Sequence, residues 1–391
     1  MIELLKSQIP TVLTIAVALG GILTVCAYLI YIERKISAFM QDRVGPNRVG
    51  PWGLLQPLAD GAKFILKEDV IPSHVDKVLF ILAPCMAVFT AMLAFAVVPF
   101  GPVDAMPEVL QPWLRFIIAP GLDIGLVFLF AIGSLGVYGV ILGGWASNNK
   151  YSALGSLRAA AQVVSYEIPL GMSVLGVALA LGTMNIEAIQ NAQADGGLLS
   201  WNFWTQPLAA LIFFTASLAE ANRLPFDLSE CEQELVGGFH TEYSAMKFAL
   251  FFLGEYTHVI TISFLTTILF FGGWHFPLIA ETTSNYTGAW LVKIGVLHTK
   301  VLCVILFIML IRWTIPRFRF DQLMNLAWKV LIPLALGNVA AVMCIKQFGL
   351  SMWWSTLANV LLFVLAGILG TLATQKELRR GGQGRGLMTA A

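Results

Sequence analysis

Residues 220–248 read EANRLPFDLSECEQELVGGFHTEYSAMKF, and six of them are acids: Glu220, Asp227, Glu230, Glu232, Glu234 and Glu242. Arg223 and Lys247 oppose them, in a chain that is only 12% charged. Glu230 and Glu234 stand four apart with Glu232 between, so on a helix two of the carboxylates share a face and repel. Leu224, Pro225, Phe226, Leu228, Leu235, Val236 and Phe239 interleave with the acids. Carboxylates crowded into partly apolar surroundings have raised pKa values, which lets them take and release protons near neutral pH. Glu255 continues the series into an apolar run, as a proton path or a charge-sensing relay requires. The plain alternative is a solvated loop, in which six acids mean only solubility.

Two further groups could do related chemistry. In SLRAAAQVVSYEIPLGMSV, Glu167 lies about two turns inside an apolar run, just before Pro169. A carboxylate there costs about 2.5–3.5 kcal/mol unless it is protonated or paired. Arg158, nine residues back, is not a same-face neighbour, so spacing names no partner; an acid reaching out to water at a helix end is the alternative. The second group is ERKISAFMQDRVGPNRVGPWGLLQPLADGAKFILKED, residues 33–69. Glu33 and Arg34 end an apolar run, and the doubled RVGP at Arg43 and Arg48 forces tight turns. Trp52, Leu55, Leu58, Ala59, Ala62, Ile65 and Leu66 then recur at helical spacing opposite Gln56, Asp60, Lys63 and Lys67. That pattern predicts an amphipathic helix at the membrane surface. Either it simply lies in the interface, or, with Asp60 set among apolar neighbours, it roofs a cavity that opens toward lipid. Arg312 adds a cation at the end of another run.

Other chemistries lack their residues. Cys26, Cys85, Cys231, Cys303 and Cys344 are isolated, without C-x-x-C or a histidine at ligand spacing, so neither zinc nor an iron–sulfur cluster is signalled. Of five histidines only His258 falls inside a run, too few for a bis-haem site, and it reads as a hydrogen-bonded packing residue. There is no G-x-x-x-x-G-K-[ST] and no G-x-G-x-x-G after a strand, so neither ATP nor a dinucleotide has a site. The basic residues form no patch for nucleic acid. The chain is expected to bind no metal and no cofactor of its own.

The elements that must position these residues are membrane helices. At 58% hydrophobic residues and mean hydropathy +0.78, the composition points to lipid as the solvent. Spanning takes about 20 apolar residues. Runs at 10–31, 78–100, 121–146, 162–183, 203–219, 244–272, 298–316, 327–345 and 353–373 qualify, the fifth being the weakest because Pro207 and Glu220 sit at its ends. The first is too long for a signal-peptide core and is followed by ERK, so it is expected to stay as a helix. The fold class is thus all-α, a polytopic membrane protein with about nine transmembrane helices and an amphipathic surface helix in the first loop. Residues 1–375 form one helical domain with functional loops at 32–77 and 220–243, and 376–391 form a flexible tail. With the N-terminus outside, 19 of the 24 Lys and Arg residues fall on one side. The positive-inside rule then makes that side, the acidic stretch and the C-terminus cytoplasmic.

The segments 33–69, SNNKYSALGSLRAAAQVVSYEIPL, residues 220–256 and RFRFDQLMNLAWK closely resemble the H subunit of NADH-quinone oxidoreductase, respiratory complex I, over nearly all of residues 10–345. The ninth run and the Gly/Arg-rich tail are less typical. The resemblance implies the membrane anchor of the hydrophilic arm and a wall of the chamber into which quinone, the substrate, slides. Arg34, Arg43 and Asp60 match positions that line the chamber; Phe226, with Asp227, belongs to the loop facing the soluble arm. Glu167, Glu220, Asp227, Glu230, Glu232, Glu234, Glu242 and Glu255 match the acidic path toward the antiporter-like subunits, with Glu33 and Arg312 as supporting charges. The expected partners are the other membrane and hydrophilic-arm subunits, which would carry FMN and iron–sulfur clusters, and the expected location is a bacterial inner membrane. An anchor in a ferredoxin-fed or hydrogenase-type relative shares these features, and a secondary transporter is a more distant reading, without visible similarity between halves.

Overall fold

The computed structural model describes residues 2–102, 115–194, 196–229, 232–277, 279–281 and 288–388. Fourteen α-helices follow in order: α1 (Ile2–Met40), α2 (Gln56–Leu66), α3 (Lys77–Leu93), α4 (Gly125–Ala146), α5 (Lys150–Leu181), α6 (Ile186–Asn191), α7 (Asn202–Thr205), α8 (Pro207–Glu220), α9 (Glu232–Leu235), α10 (Ala245–Phe270), α11 (Ala289–Thr314), α12 (Phe320–Asn325), α13 (Ile332–Gln347) and α14 (Trp353–Met388). Among the described residues there is no strand, only one isolated antiparallel bridge, Phe276 to Ala280. Chain chemistry sets several ends. Asp76 accepts from Val78 N and Leu79 N at the start of α3, Asn149 accepts from Tyr151 N at the start of α5, and Gly182, at φ 78°, closes α5 in the left-handed conformation. Pro84 and Pro169 sit inside α3 and α5, as neighbouring helices in a membrane bundle allow.

Among the described residues, eight helical segments are long and apolar enough to cross a membrane, so the chain is a multi-pass membrane protein. One of them is continuous from Phe320 to Gln347, because a π-helical turn, Leu326–Leu331, joins α12 to α13. The fifth predicted run differs. It folds as the four-residue α7 and the 14-residue α8, which at 1.5 Å per residue is about 21 Å long, short of the roughly 30 Å hydrocarbon core. Pro207 starts it and the polar Glu220 ends it. Even so, α8 carries the chain from one end of the bundle to the other: Gln206 Nε2 donates to Gly176 O at 3.2 Å at its start, and Gln162 Nε2 donates to Ala219 O at 2.8 Å at its finish. It lies antiparallel to α5, which extends beyond it at the Gln162 end.

The core sits where α5, α8 and α10 meet, around Tyr166, Phe213, Ile268 and Phe270, all fully enclosed. Large apolar side chains on α1 and α14 face outward instead, as lipid rather than water demands. Loops predicted to share a side do meet. Asp76 N donates to Ala146 O at 3.1 Å, Asn148 Nδ2 to His74 O at 3.2 Å and Phe318 N to Pro225 O at 3.3 Å, and Lys247 Nζ reaches Asp69 at 2.5 Å. The loops 32–77, 147–161, 220–243 and 317–326 therefore gather at one end of the bundle.

Candidate functional site: a buried carboxylate and two cavities that share lining residues

Glu33 lies in the last turns of α1, which runs on through Arg34 to Met40 rather than ending at the apolar run. Its carboxylate is buried and meets two guanidinium groups, Arg312 from α11 and Arg223, at 3.5 Å, from the segment after α8. Tyr256 Oη of α10 donates to its Oε2 at 2.6 Å, and the Arg223 guanidinium lies 4.3 Å from the centre of the Tyr256 ring. Three other segments thus converge on one acid of α1, which satisfies the rule that a buried charge is paired and hydrogen-bonded. Glu33, Asn222, Arg223, Asp227, Glu255 and Arg312 are among the residues that line an adjoining cavity of about 110 Å³, room for several waters.

A second cavity, of about 60 Å³, is lined by Glu220, Glu255 and His258 together with Asn222, Phe239 and Phe251. Glu255 and Asn222 line both cavities. Glu167 lies near enough to Glu220 for their charges to interact, and it accepts a hydrogen bond from Ser134 Oγ of α4. Asn222 is held by Gln162 Nε2, which also donates to Phe226 O at 2.8 Å, so one α5 amide fixes the whole turn after α8.

The space for these groups comes from glycine on α4. A Cβ at Gly133 would lie 3.2 Å from Glu220 Oε1, and one at Gly136 would lie 3.7 Å from His258 Nε2. At Gly139 a Cβ would stand 2.9 Å from Ala87 N, so α3 and α4 touch backbone to backbone.

The first loop folds as its periodicity predicts. The helix α2 covers Gln56–Leu66, while Trp52 falls just before it in a 3-10 turn at φ 54°. The apolar face of α2 is uncovered, with Leu58 at 70% and Ile65 at 71% exposure. From its other side Asp60 pairs with Arg34 at 2.6 Å and accepts from Gln56 Nε2 at 3.1 Å. Arg34 and Asp60 are therefore brought together beside Glu33. Arg43 is not; it is exposed and donates to Gln41 Oε1 at 2.8 Å. Phe226 is enclosed between the Tyr166 and Phe318 rings, each about 5.6 Å away, and Tyr166 Oη reaches past it to Leu323 O.

The remaining acids form a rim. Asp227 meets Arg317 at 3.2 Å, Glu234 meets Arg158 at 2.6 Å, and Glu242 accepts from Asn149 Nδ2 at 2.6 Å. The helix around Glu234 is only four residues long. Glu230 and the side chain of Glu232 lie outside the described residues. Tyr243, close by, stacks on Phe80 at 4.0 Å, and burial pushes its phenol above the usual range.

Several members of the site carried no readable signal in the sequence. Tyr256 and Arg223 as partners of Glu33, Ser134 as the partner of Glu167, and the glycines of α4 come from elements far apart in the chain. His258, read as a hydrogen-bonded packing residue, makes no hydrogen bond among the described residues and faces the second cavity. No group of three or more His, Cys, Asp or Glu among the described residues has the arrangement to hold a metal.

Residues 13–343 match the NADH dehydrogenase family. The chain is 46% identical over 318 residues to the first-numbered NADH-quinone oxidoreductase H subunit of Cytophaga hutchinsonii, covering 81% of this chain and 91% of that protein. It is 45% identical over 329 residues to the NADH-quinone oxidoreductase H subunit of Flavobacterium johnsoniae, covering 83% and 91%. It is 44% identical over 338 residues to NADH-quinone oxidoreductase subunit 8 of Rhodothermus marinus, covering 84% and 95%. The matched span takes in every residue that lines either cavity and stops before α14. The chain belongs to the NADH dehydrogenase family, alongside the H subunits of NADH-quinone oxidoreductase.

Proposed function

We propose that this chain is the quinone-chamber subunit of a proton-translocating NADH:quinone oxidoreductase and that its acids carry the response to quinone reduction into the membrane. The observation that carries the reading is that the two cavities share lining residues: Glu255 and Asn222 border both, between the Glu33 cluster and Glu220. The end of the bundle that holds the acidic loop faces the cytoplasm of a bacterial inner membrane, with the N-terminus periplasmic. Soluble-arm proteins holding FMN and iron–sulfur clusters dock there and deliver the electrons.

Quinone takes up two electrons and two protons to become quinol. On this reading Arg34 and Asp60 flank its way in, beneath the uncovered face of α2, while Phe226 stiffens the loop that closes the chamber. Withdrawal of protons beside Glu33 leaves negative charge where Arg223 and Arg312 already stand. The low dielectric of the interior carries that change to Glu255, which lines both cavities, and on to Glu220 and Glu167. The rim acids Asp227, Glu234 and Glu242 hold the loop's geometry through Arg317, Arg158 and Asn149.

The test is quinone-linked proton pumping by membranes carrying Glu220→Gln or Glu234→Gln, with NADH:ferricyanide reduction, which bypasses quinone, as control. Glu220→Gln is expected to abolish coupled turnover with the control intact, and Glu234→Gln to reduce it. Full pumping by Glu220→Gln removes the acidic path.

A further inference from the structure

We propose that His258 is a proton-relay residue between Glu255 and Glu220, an inference that rests on the acidic-path reading above. His258 lies three residues after Glu255 on α10, hence on the same face one turn away, and both line the cavity that Glu220 enters from the end of α8. The groups facing the ring can be named element by element. The α3 helix brings Thr90, whose hydroxyl donates to Met86 O and Ala87 O; α4 brings Gly133 and Gly136; α8 brings Glu220, with Glu167 of α5 near it. Among the described residues no Lys or Arg lines this cavity. Its ionisable set is two carboxylates and one imidazole.

A packing histidine satisfies its ring from nearby groups. Buried His275 does so through Asn191 Oδ1 at 3.4 Å, and even the exposed His298 bonds Ile294 O at 2.9 Å. His258 has no such bond among the described residues, and a Cβ at Gly136 would stand 3.7 Å from its Nε2, where α4 leaves room. An imidazole accepts a proton on one nitrogen while the other N–H donates. One nitrogen of neutral His258 takes the proton of protonated Glu255, directly or through a water, and the opposite N–H passes its proton to the Glu220 carboxylate. Glu255 ends ionised, Glu220 protonated and the ring neutral in its other tautomer, which ring rotation resets. The net step moves one proton and consumes nothing.

The experiment uses the assembled complex in sealed membranes, with His258→Gln, His258→Glu and, in parallel, Glu220→Gln. With ferricyanide reduction unchanged, His258→Gln is expected to lower quinone-linked turnover about tenfold or more and to remove one limb of its pH profile. His258→Glu, which restores a titratable group, recovers turnover with that limb moved toward the carboxylate range. Wild-type turnover and an unchanged profile in His258→Gln overturn the relay. Should that variant fail to assemble, an unmoved limb in His258→Glu overturns it instead. If Glu220→Gln is inactive while His258→Gln is wild type, the relay alone falls; if Glu220→Gln is wild type, the acidic path itself falls.

Discussion

Tyr256 Oη donates to Glu33 Oε2 at 2.6 Å, across 223 residues of chain, and so ties α10 to the end of α1. A hydrogen bond to a buried charge is worth about 1.5–3 kcal/mol. Tyr256→Phe is expected to lose that much stability and to lower quinone-linked turnover. Tyr243 makes the contrast. Its buried hydroxyl has no hydrogen-bond partner among the described residues, so Tyr243→Phe keeps the Phe80 stack and leaves stability unchanged or raises it. Thermal melting of the purified complex separates the two.

Glu33→Gln leaves Arg223 and Arg312 facing each other without their shared counter-charge. Breaking a buried pair from one side costs about 3–5 kcal/mol. The expected outcome is a sharp fall in assembled complex on a native gel, not merely a slower enzyme.

The Arg34–Asp60 pair behaves differently. The Arg34 side chain is 48% exposed and that of Asp60 22%, so the pair contributes at most about 1 kcal/mol to stability. Asp60→Asn should leave melting nearly unchanged and raise KM for a short-chain quinone several-fold. Equal KM values would detach this pair from the quinone entrance.

Two glycines of α4 test packing against function. Gly139→Ala puts a methyl group 2.9 Å from the Ala87 backbone nitrogen, which cannot yield, so α3 and α4 separate and assembly falls. Gly133→Ala meets only the tip of the Glu220 carboxylate at 3.2 Å, and that tip moves aside. The expected result is normal assembly with reduced coupled turnover, read as pumping against the ferricyanide control.

Hydropathy and spacing made the helices, the amphipathic α2 and the acids of the loop legible, because each depends on residues close in sequence. The relationships that turn those residues into a site are of another kind. Glu167 meets Ser134, 33 residues upstream, and Arg158, nine residues from Glu167, pairs instead with Glu234, 76 residues away. No periodicity encodes such pairs; they follow from which helices lie side by side. The shortness of α8 was half legible: Pro207 and Glu220 mark its ends, but only Gln206 and Gln162 on Gly176 and Ala219 show that so short a helix still crosses the bundle. His258 is ambiguous in the sequence for the same reason, since an isolated histidine in an apolar run looks alike whether it is packed or faces a cavity.

The central claim is that the Glu33 cluster and the Glu220 site communicate through Glu255, which lines both cavities. The most direct measurement is proton translocation and quinone reduction by sealed membranes carrying Glu255→Gln, with NADH:ferricyanide reduction and assembly measured alongside. Quinone reduction and pumping are predicted to fall together while the ferricyanide rate and assembly stay at wild-type levels. Wild-type pumping by assembled Glu255→Gln would contradict the claim.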